Sequence, residues 1–287
     1  MHNYHIITDS ACDLPKNMVA ELGITVVPLY VNFRNECLCD SVDEGIQTIY
    51  NGLRAGENAS TSAINPTRWA EAMEPALKEG KDVLVVAFSS GLSTTYQSAV
   101  IAAEELKETY PDRTVLVVDG LAASLGQGLL VWYACHKRNE GLSLAELAAW
   151  IEDNKQHICH WFTVDDLMFL KRGGRVSAAT ALVGTMLSIK PVLHVDAEGH
   201  LINVGKVRGR KAAIKALADK VGELGAGYDN STVFISHGDC ADEAQILADM
   251  LKEKYGVKEV VLGYVGAVIG SHSGPGTIAL FFLGDHR

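Results

Sequence analysis

Read along its apolar and polar positions, the chain opens with alternating strand and helix patterns. Tyr4–Thr8 is a short apolar run that ends on the polar Asp9-Ser10. Ile24–Val31 predicts a second strand, which Pro28 weakens or sends to a sheet edge because proline has no N–H for the ladder. Apolar residues at helical spacing predict a helix over Pro66–Leu77. Asp82–Phe88 and Thr114–Val118 predict buried strands, with a helix between them at Thr94–Thr109 that puts Ala99, Ala102, Ala103 and Leu106 on one face. Helices over Ser124–Arg138 and Leu144–His157 follow. Strands alternating with helices predict a parallel sheet covered on both faces. Ligands of such sheets bind beyond the C-terminal strand ends, where Thr8-Asp9-Ser10, Ser89-Ser90 and Asp119 are expected.

The second half reads differently. An acidic pair, Asp165-Asp166, precedes a basic glycine turn at Lys171–Arg175. Val176–Ile189 predicts a helix apolar on most sides, buried or lining something greasy. Lys190–Val195 and His200–Val207 predict paired strands around Ala197-Glu198-Gly199. Helices are expected at Arg210–Leu224 and Ala241–Tyr255, strands at Thr232–His237 and Glu259–Val265. The glycine-rich Gly266–Gly276 comes before the apolar Thr277–Leu283. The pattern predicts an α/β protein of two α/β domains, 1–157 and 158–287. The first carries a mostly parallel sheet with helices on both faces, the second a mixed sheet with helices.

Composition narrows the chemistry. The 287 residues are 48% hydrophobic and 21% charged, with a net charge of −10. Such a composition is globular, and so acidic a chain is a poor partner for nucleic acid, whose phosphates need Lys and Arg. No apolar run reaches the ~18 residues of a membrane span. The start lacks the basic and apolar regions of a signal peptide. The six cysteines form no CxxC pair, so neither a zinc site nor a dithiol redox motif is signalled. A cytoplasmic protein with reduced thiols is expected.

Three polar segments carry candidate chemistry. Ser60, Thr61 and Ser62 stand just ahead of a predicted helix, where hydroxyls and free N–H groups share an anion; they equally suit an N-cap. Ser89–Thr95 holds five hydroxyls in seven residues, more than capping needs. In Gly270–Gly276, three glycines and a proline surround His272 and its flanking serines. Lys171, Arg172, Arg175, Lys206, Arg208, Arg210 and Lys211 read either as solvated charge or as a local positive patch for an anionic partner. There is no P-loop, GxGxxG, HExxH or GxSxG, and no spacing that forces a Ser-His-Asp triad. Hydroxyls, one histidine and a greasy helix suit a ligand with an anionic head and an apolar body.

At these residues the sequence resembles the DegV family, the bacterial fatty-acid-binding proteins that serve fatty acid kinase. The matching stretches, in family order, are IITDSACDLP from Ile6, TSAINP from Thr61, AFSSGLSTTYQSA from Ala87, VVDGLAASLGQGLLV from Val117, LKRGGRVS from Leu170, KPVLHVDAEGHL from Lys190, KVRGRKAA from Lys206 and GSHSGPGTIAL from Gly270. The chain departs from the family at TSAINP (commonly TSQPSP), at Thr94 (commonly glycine) and at Gly120-Leu121-Ala122 (commonly polar). The resemblance implies a long-chain fatty acid in a buried tunnel, with its carboxylate on Thr61, Ser62, Ser93 and His272. It implies a non-catalytic subunit without a cofactor, since a separate fatty acid kinase brings the ATP and makes an acyl phosphate for phospholipid synthesis. Arg172, Arg175 and Arg208 would then face that kinase or the phosphate. We expect a monomer with at most transient membrane contact. Two other readings stay open: a small-molecule phosphotransfer enzyme using His272, and a lipid-sensing regulatory module.

Overall fold

A computed structural model of the chain describes residues 3–40, 42, 45–177 and 188–287. Most of the helix expected over Val176–Ile189 falls outside them, and its last residue instead opens a strand. Three sheets make up the framework. The first is fully parallel, with strands β1 (Tyr4–Asp9), β2 (Thr25–Val27), β6 (Asp82–Ala87) and β7 (Val115–Asp119) in the order β2-β1-β6-β7. The second is antiparallel, β3 (Tyr30–Phe33), β4 (Glu36–Cys39) and β5 (Ala59–Ser62), in the order β4-β3-β5. The third joins β8 (Ile158–Thr163), β9 (Ile189–Val195), β10 (Leu201–Arg208), β11 (Thr232–His237), β12 (Glu259–Tyr264) and β13 (Ile278–Leu283) in the order β10-β9-β8-β13-β11-β12. Within it only the β11/β12 pair is parallel.

The helices are α1 (Lys16–Leu22), α2 (Ile46–Arg54), α3 (Pro66–Lys78), α4 (Thr95–Thr109), α5 (Leu125–Asn139), α6 (Leu144–Asn154), α7 (Leu167–Arg172), α8 (Arg210–Leu224), α9 (Ala241–Tyr255) and α10 (Ala267–Ser273). Local signals account for several of them. Asn65 accepts the Arg68 N–H and Pro66 stands at the first helical position, so α3 begins there and buries Trp69, Met73, Ala76 and Leu77 at helical spacing. Ser143 and Glu146 close a capping box at the start of α6. Helix α5 is buried on nearly every side because it lies between the parallel and six-stranded sheets. Gly126 makes that approach possible: a Cβ there would lie 2.6 Å from the Phe281 ring and overlap the imidazole of His160. One hydrophobic core therefore runs through α5, from Ile6, Leu84 and Val86 to Phe162, Phe234 and Phe281.

The structure adds to or departs from the sequence expectations in four places. Ile24–Val31 is two strands in two sheets, broken at Pro28, where a ladder N–H is missing. The hydroxyl segment Ala59–Ser62 is not a helix cap but strand β5, and the cap is Asn65. Gly266–Gly276, glycine-rich in sequence, is not uniform. Its Ala267–Ser273 part is helix α10, with His272 in the last turn, and the left-handed glycines Gly274 and Gly276 come only afterwards. Strand β8 and helix α7 occupy the segment around Asp165-Asp166 that had no predicted element.

The strand-end clusters also differ from expectation. Asp9 is fully buried and accepts from the N–H groups of Ala11 and Phe88 and from Gln127. The Asp119 carboxylate accepts from Ser90 N–H and Leu121 N–H. Ser89 donates to the carbonyl of Gly199, at the tip of the β9–β10 hairpin. Asp9, Asp119 and Ser89 thus hold main chain, while Ser90 borders a cavity.

Candidate functional site

A cavity of about 450 Å³ lies between the sheets. Its wall is largely apolar, with Leu29, Phe88, Leu92, Phe162, Val195 and Phe281 among its members. All but Leu92, which sits in the turn between β6 and α4, come from a strand or the residue next to one, and all six are buried in the core, so the wall is held by packing.

Four polar side chains gather at one part of this wall. Thr61 sits on β5, opposite the core residue Val31 of β3, and strand alternation turns its side chain inward. Ser93 lies in the turn that leads into α4. Its oxygen accepts the Thr95 N–H at 3.2 Å and lies 2.8 Å from the Thr95 hydroxyl. His272, in the last turn of α10, places Nε2 2.7 Å from the Thr61 hydroxyl. Arg175 follows α7, and its Nε and Nη2 donate to the Leu92 carbonyl at 3.2 and 3.0 Å. The first two residues come from the first half of the chain and the last two from the second. Arg175 thus ties its own segment to the loop that holds Ser93.

The electrostatics follow from burial. The imidazole of His272 is pushed down to about 4, first by burial and then by the Arg175 charge, so it is neutral at pH 7. Burial also lowers Arg175 from its ordinary value. Among the described residues Arg175 has only main-chain carbonyls as hydrogen-bond acceptors, those of Leu92 and Gly173. A half-buried cation without a carboxylate partner is costly in isolation, and an anion at this spot would offset that cost. Gly173 fits closely against the histidine: a Cβ there would overlap Nδ1 and lie 3.0 Å from Cγ.

Beyond the cradle a smaller recess of about 270 Å³ opens. It shares Thr61, Arg175 and His272 with the apolar cavity and adds polar lining from Asn58, Ser60 and Arg172. The guanidinium of the exposed Arg172 stacks 4.5 Å over the Phe169 ring. The three shared residues therefore form a neck between an apolar and a polar space. A carboxylate held there would keep its tail in the first and face the second.

The structure thus brings together Thr61, Ser93, His272 and Arg175, with Arg172 on the recess. Ser62 borders the cavity, but alternation turns its hydroxyl to the outer face of the sheet, where it accepts from Asn32. Arg208 ends β10, exposed, and lines neither space. Sequence reasoning missed the buried polar pair Ser124 and His160 on the cavity wall. His160 is neutral because burial drives its imidazole well below the ordinary value. Its place in the apolar run of β8 gave no chemical signal. Among the described residues no cluster suits a metal ion, and no helix is long and apolar enough to cross a membrane.

Comparison with known proteins agrees with this architecture. A DegV domain-containing protein of Clostridium perfringens is 47% identical over the whole of this chain and 99% of its own length. One from Lactococcus lactis is 37% identical over 98% of this chain and 97% of its own. Among solved structures, a DegV-family protein from Thermus thermophilus, described as fatty acid binding, superposes with a TM-score of 0.88 at 34% identity, covering 98% of this chain and 99% of that one. A stearic acid-binding protein from Eubacterium ventriosum gives 0.88 at 25% identity, with 98% of each chain covered. The DegV family model, described as one of uncharacterised proteins, matches residues 3–285, and the chain belongs to the DegV family.

Proposed function

We propose that this protein binds a long-chain fatty acid, with the tail in the 450 Å³ cavity and the carboxylate on Thr61, Ser93, His272 and Arg175. The observation that carries the reading is the cradle itself: an apolar cavity that ends on convergent donors and a half-buried cation with no acidic partner among the described residues. Relatives of the same fold described as binding fatty acids support it. The energetics agree in scale. Each buried CH₂ contributes about 0.8 kcal/mol, so a dozen give roughly 10 kcal/mol. Desolvating a bare carboxylate costs several kcal/mol, while each hydrogen bond to it returns about 1.5–3 kcal/mol. The neutral histidine can pass a donor along: Nε2–H to the Thr61 oxygen, and the Thr61 O–H to the carboxylate.

The same reading makes the protein a non-catalytic subunit of two domains, 1–157 and 158–287, that meet around the ligand. The bound carboxylate faces the polar recess, where a separate ATP-carrying fatty acid kinase would reach it and form the acyl phosphate for phospholipid synthesis. Arg172 and Arg208 would serve that docking surface. No cofactor is called for, and the setting is cytoplasmic.

Denaturing the purified protein, extracting it with organic solvent and taking a mass spectrum of the extract tests the binding. A near-stoichiometric long-chain fatty acid is expected. An extract without one, repeated after expression with added fatty acid, would overturn the proposal. Phosphorylation of bound fatty acid by a candidate kinase, with and without this protein, tests presentation.

A further inference from the structure

Helix α10 carries His272 at one end and lacks a side-chain cap from its own N-cap residue, Gly266, at the other. That cap comes from far away in the sequence. Asp40, which follows β4, is buried, and its Oδ1 accepts the Val268 N–H at 2.9 Å. Its Oδ2 accepts from the Ser10 hydroxyl at 2.8 Å, and Ser10 in turn accepts the Leu29 N–H at 3.0 Å. The Asp40 N–H donates to the Leu29 carbonyl at 2.9 Å, which closes the loop. Tyr50 adds a second tie from the first half, donating to the Val265 carbonyl at 2.8 Å. Val268 and His272 are four residues apart, one turn or about 6 Å along the same face. Displacement at Val268 therefore carries to the histidine.

We propose that Asp40 is a positioning residue for the carboxylate cradle: by capping Val268 it sets the helix that holds His272 against Thr61. The inference rests on the fatty-acid reading for its ligand but not for its geometry. Two halves of the chain supply the cradle, and Asp40 keys the second half's histidine to the first half's β5. The cap satisfies the N–H of the buried Val268, a group that is costly to leave without a partner.

The test uses the full chain, stripped of lipid, as wild type, Asp40→Ala and Asp40→Asn. Affinities for myristic acid and for myristyl alcohol, which shares the tail but not the carboxylate, are measured side by side. Asp40→Ala is expected to weaken the acid about tenfold or more and the alcohol clearly less, because Val268 and Ile269 are only a small part of the apolar wall whereas His272 serves the carboxylate. Asp40→Asn, whose amide oxygen can still accept from Val268, is expected to restore the acid. NMR titration of His272, assigned with His272→Gln, needs no ligand. The wild-type ring is expected to titrate near about 4 and to move up towards its ordinary value in Asp40→Ala as burial relaxes. An unchanged acid-to-alcohol ratio with an unchanged His272 titration would overturn the proposal. If wild type binds neither ligand, the fatty-acid reading fails, and the His272 titration alone decides the positioning role. Should Asp40→Ala not fold, Ser10→Ala carries the test: the same two changes, smaller, support the role, and no change in either refutes it.

Discussion

Gly173→Ala is the sharpest probe of the cradle. Gly173 has a right-handed backbone, φ −71°, so alanine fits the local conformation without strain. What it does not fit is the neighbour. The new methyl would overlap Nδ1 of His272 and lie 3.0 Å from Cγ and 3.2 Å from Cε1. Ordinary carbon contacts settle at about 3.5–4.0 Å, so the ring must retreat by roughly an ångström. Nδ1 and Nε2 lie on opposite sides of the ring, so a retreat of that size drives Nε2 onto the Thr61 oxygen, already only 2.7 Å away, and the ring must turn aside and give up that bond. Losing one donor relay to a bound carboxylate corresponds to about 1.5–3 kcal/mol, or roughly 10- to 150-fold in affinity. The assay is displacement of a fluorescent fatty acid from wild type, Gly173→Ala, His272→Ala and the double variant. The two changes act on one group, so the double variant should bind about as the weaker single one does. Full additivity, or no loss in Gly173→Ala, would refute the reasoning.

Other outcomes follow from the same geometry. Arg175→Ala should weaken fatty acid binding about tenfold or more, and Arg175→Lys should not restore it, because a point charge cannot hold the Leu92 carbonyl and a carboxylate at once; equilibrium binding checks both. Ser93→Ala should weaken fatty acid binding, whereas Ser62→Ala, whose hydroxyl serves Asn32, should leave it within about twofold, and equal losses would contradict the assignment. Two buried groups pull the pH dependence of stability in opposite directions. His272, lowered to about 4, is neutral when folded while the unfolded chain takes up protons below its ordinary value, so its term favours folding above about pH 6.5 and fades as pH falls towards 4. Asp9, raised to about 7 chiefly by burial, keeps its proton when folded, so its term favours folding below about pH 4 and is lost as pH rises towards 7. Asp9→Asn should therefore make stability climb more steeply from pH 4 to 7 than in wild type, read by denaturant unfolding at several pH values; an unchanged slope would refute the assignment.

Much of this molecule was legible in the sequence because its strands are buried runs between glycines and polar turns. Asp82–Phe88 and Thr114–Val118 are examples: both faces are covered, so the apolar stretch reads cleanly. The three-stranded sheet was not legible. Its strands are four residues each, and β5 is Ala-Ser-Thr-Ser, a composition that favours caps as much as strands. Only pairing with β3 makes it a strand. The same fact separates Thr61 from Ser62, since neighbours in a strand face opposite ways while neighbours in a cap can share an anion. His272 was legible as chemistry but not as helix, because four glycines within Gly266–Gly276 mask the buried Ala267-Val268 start. Arg175 was visible as charge, yet its place beside the histidine comes from the turn after α7, which local pattern does not encode.

The β9–β10 hairpin has a further consequence. Its tip at Gly199 receives the Ser89 hydroxyl, and a Cβ on Gly91 would press within 2.9 Å of the Glu198 carbonyl. These contacts lie at the C-terminal end of the parallel sheet, the place where such sheets ordinarily cradle phosphate or nucleotide. Here the chain supplies its own occupant, a loop docked as a tethered guest in what is elsewhere a pocket for cofactors. The guest fills only part of that end: Phe88, Ser90, Leu92 and Ser93, which follow β6, still line the cavity, so the loop narrows the strand-end site and directs it towards the space between the sheets.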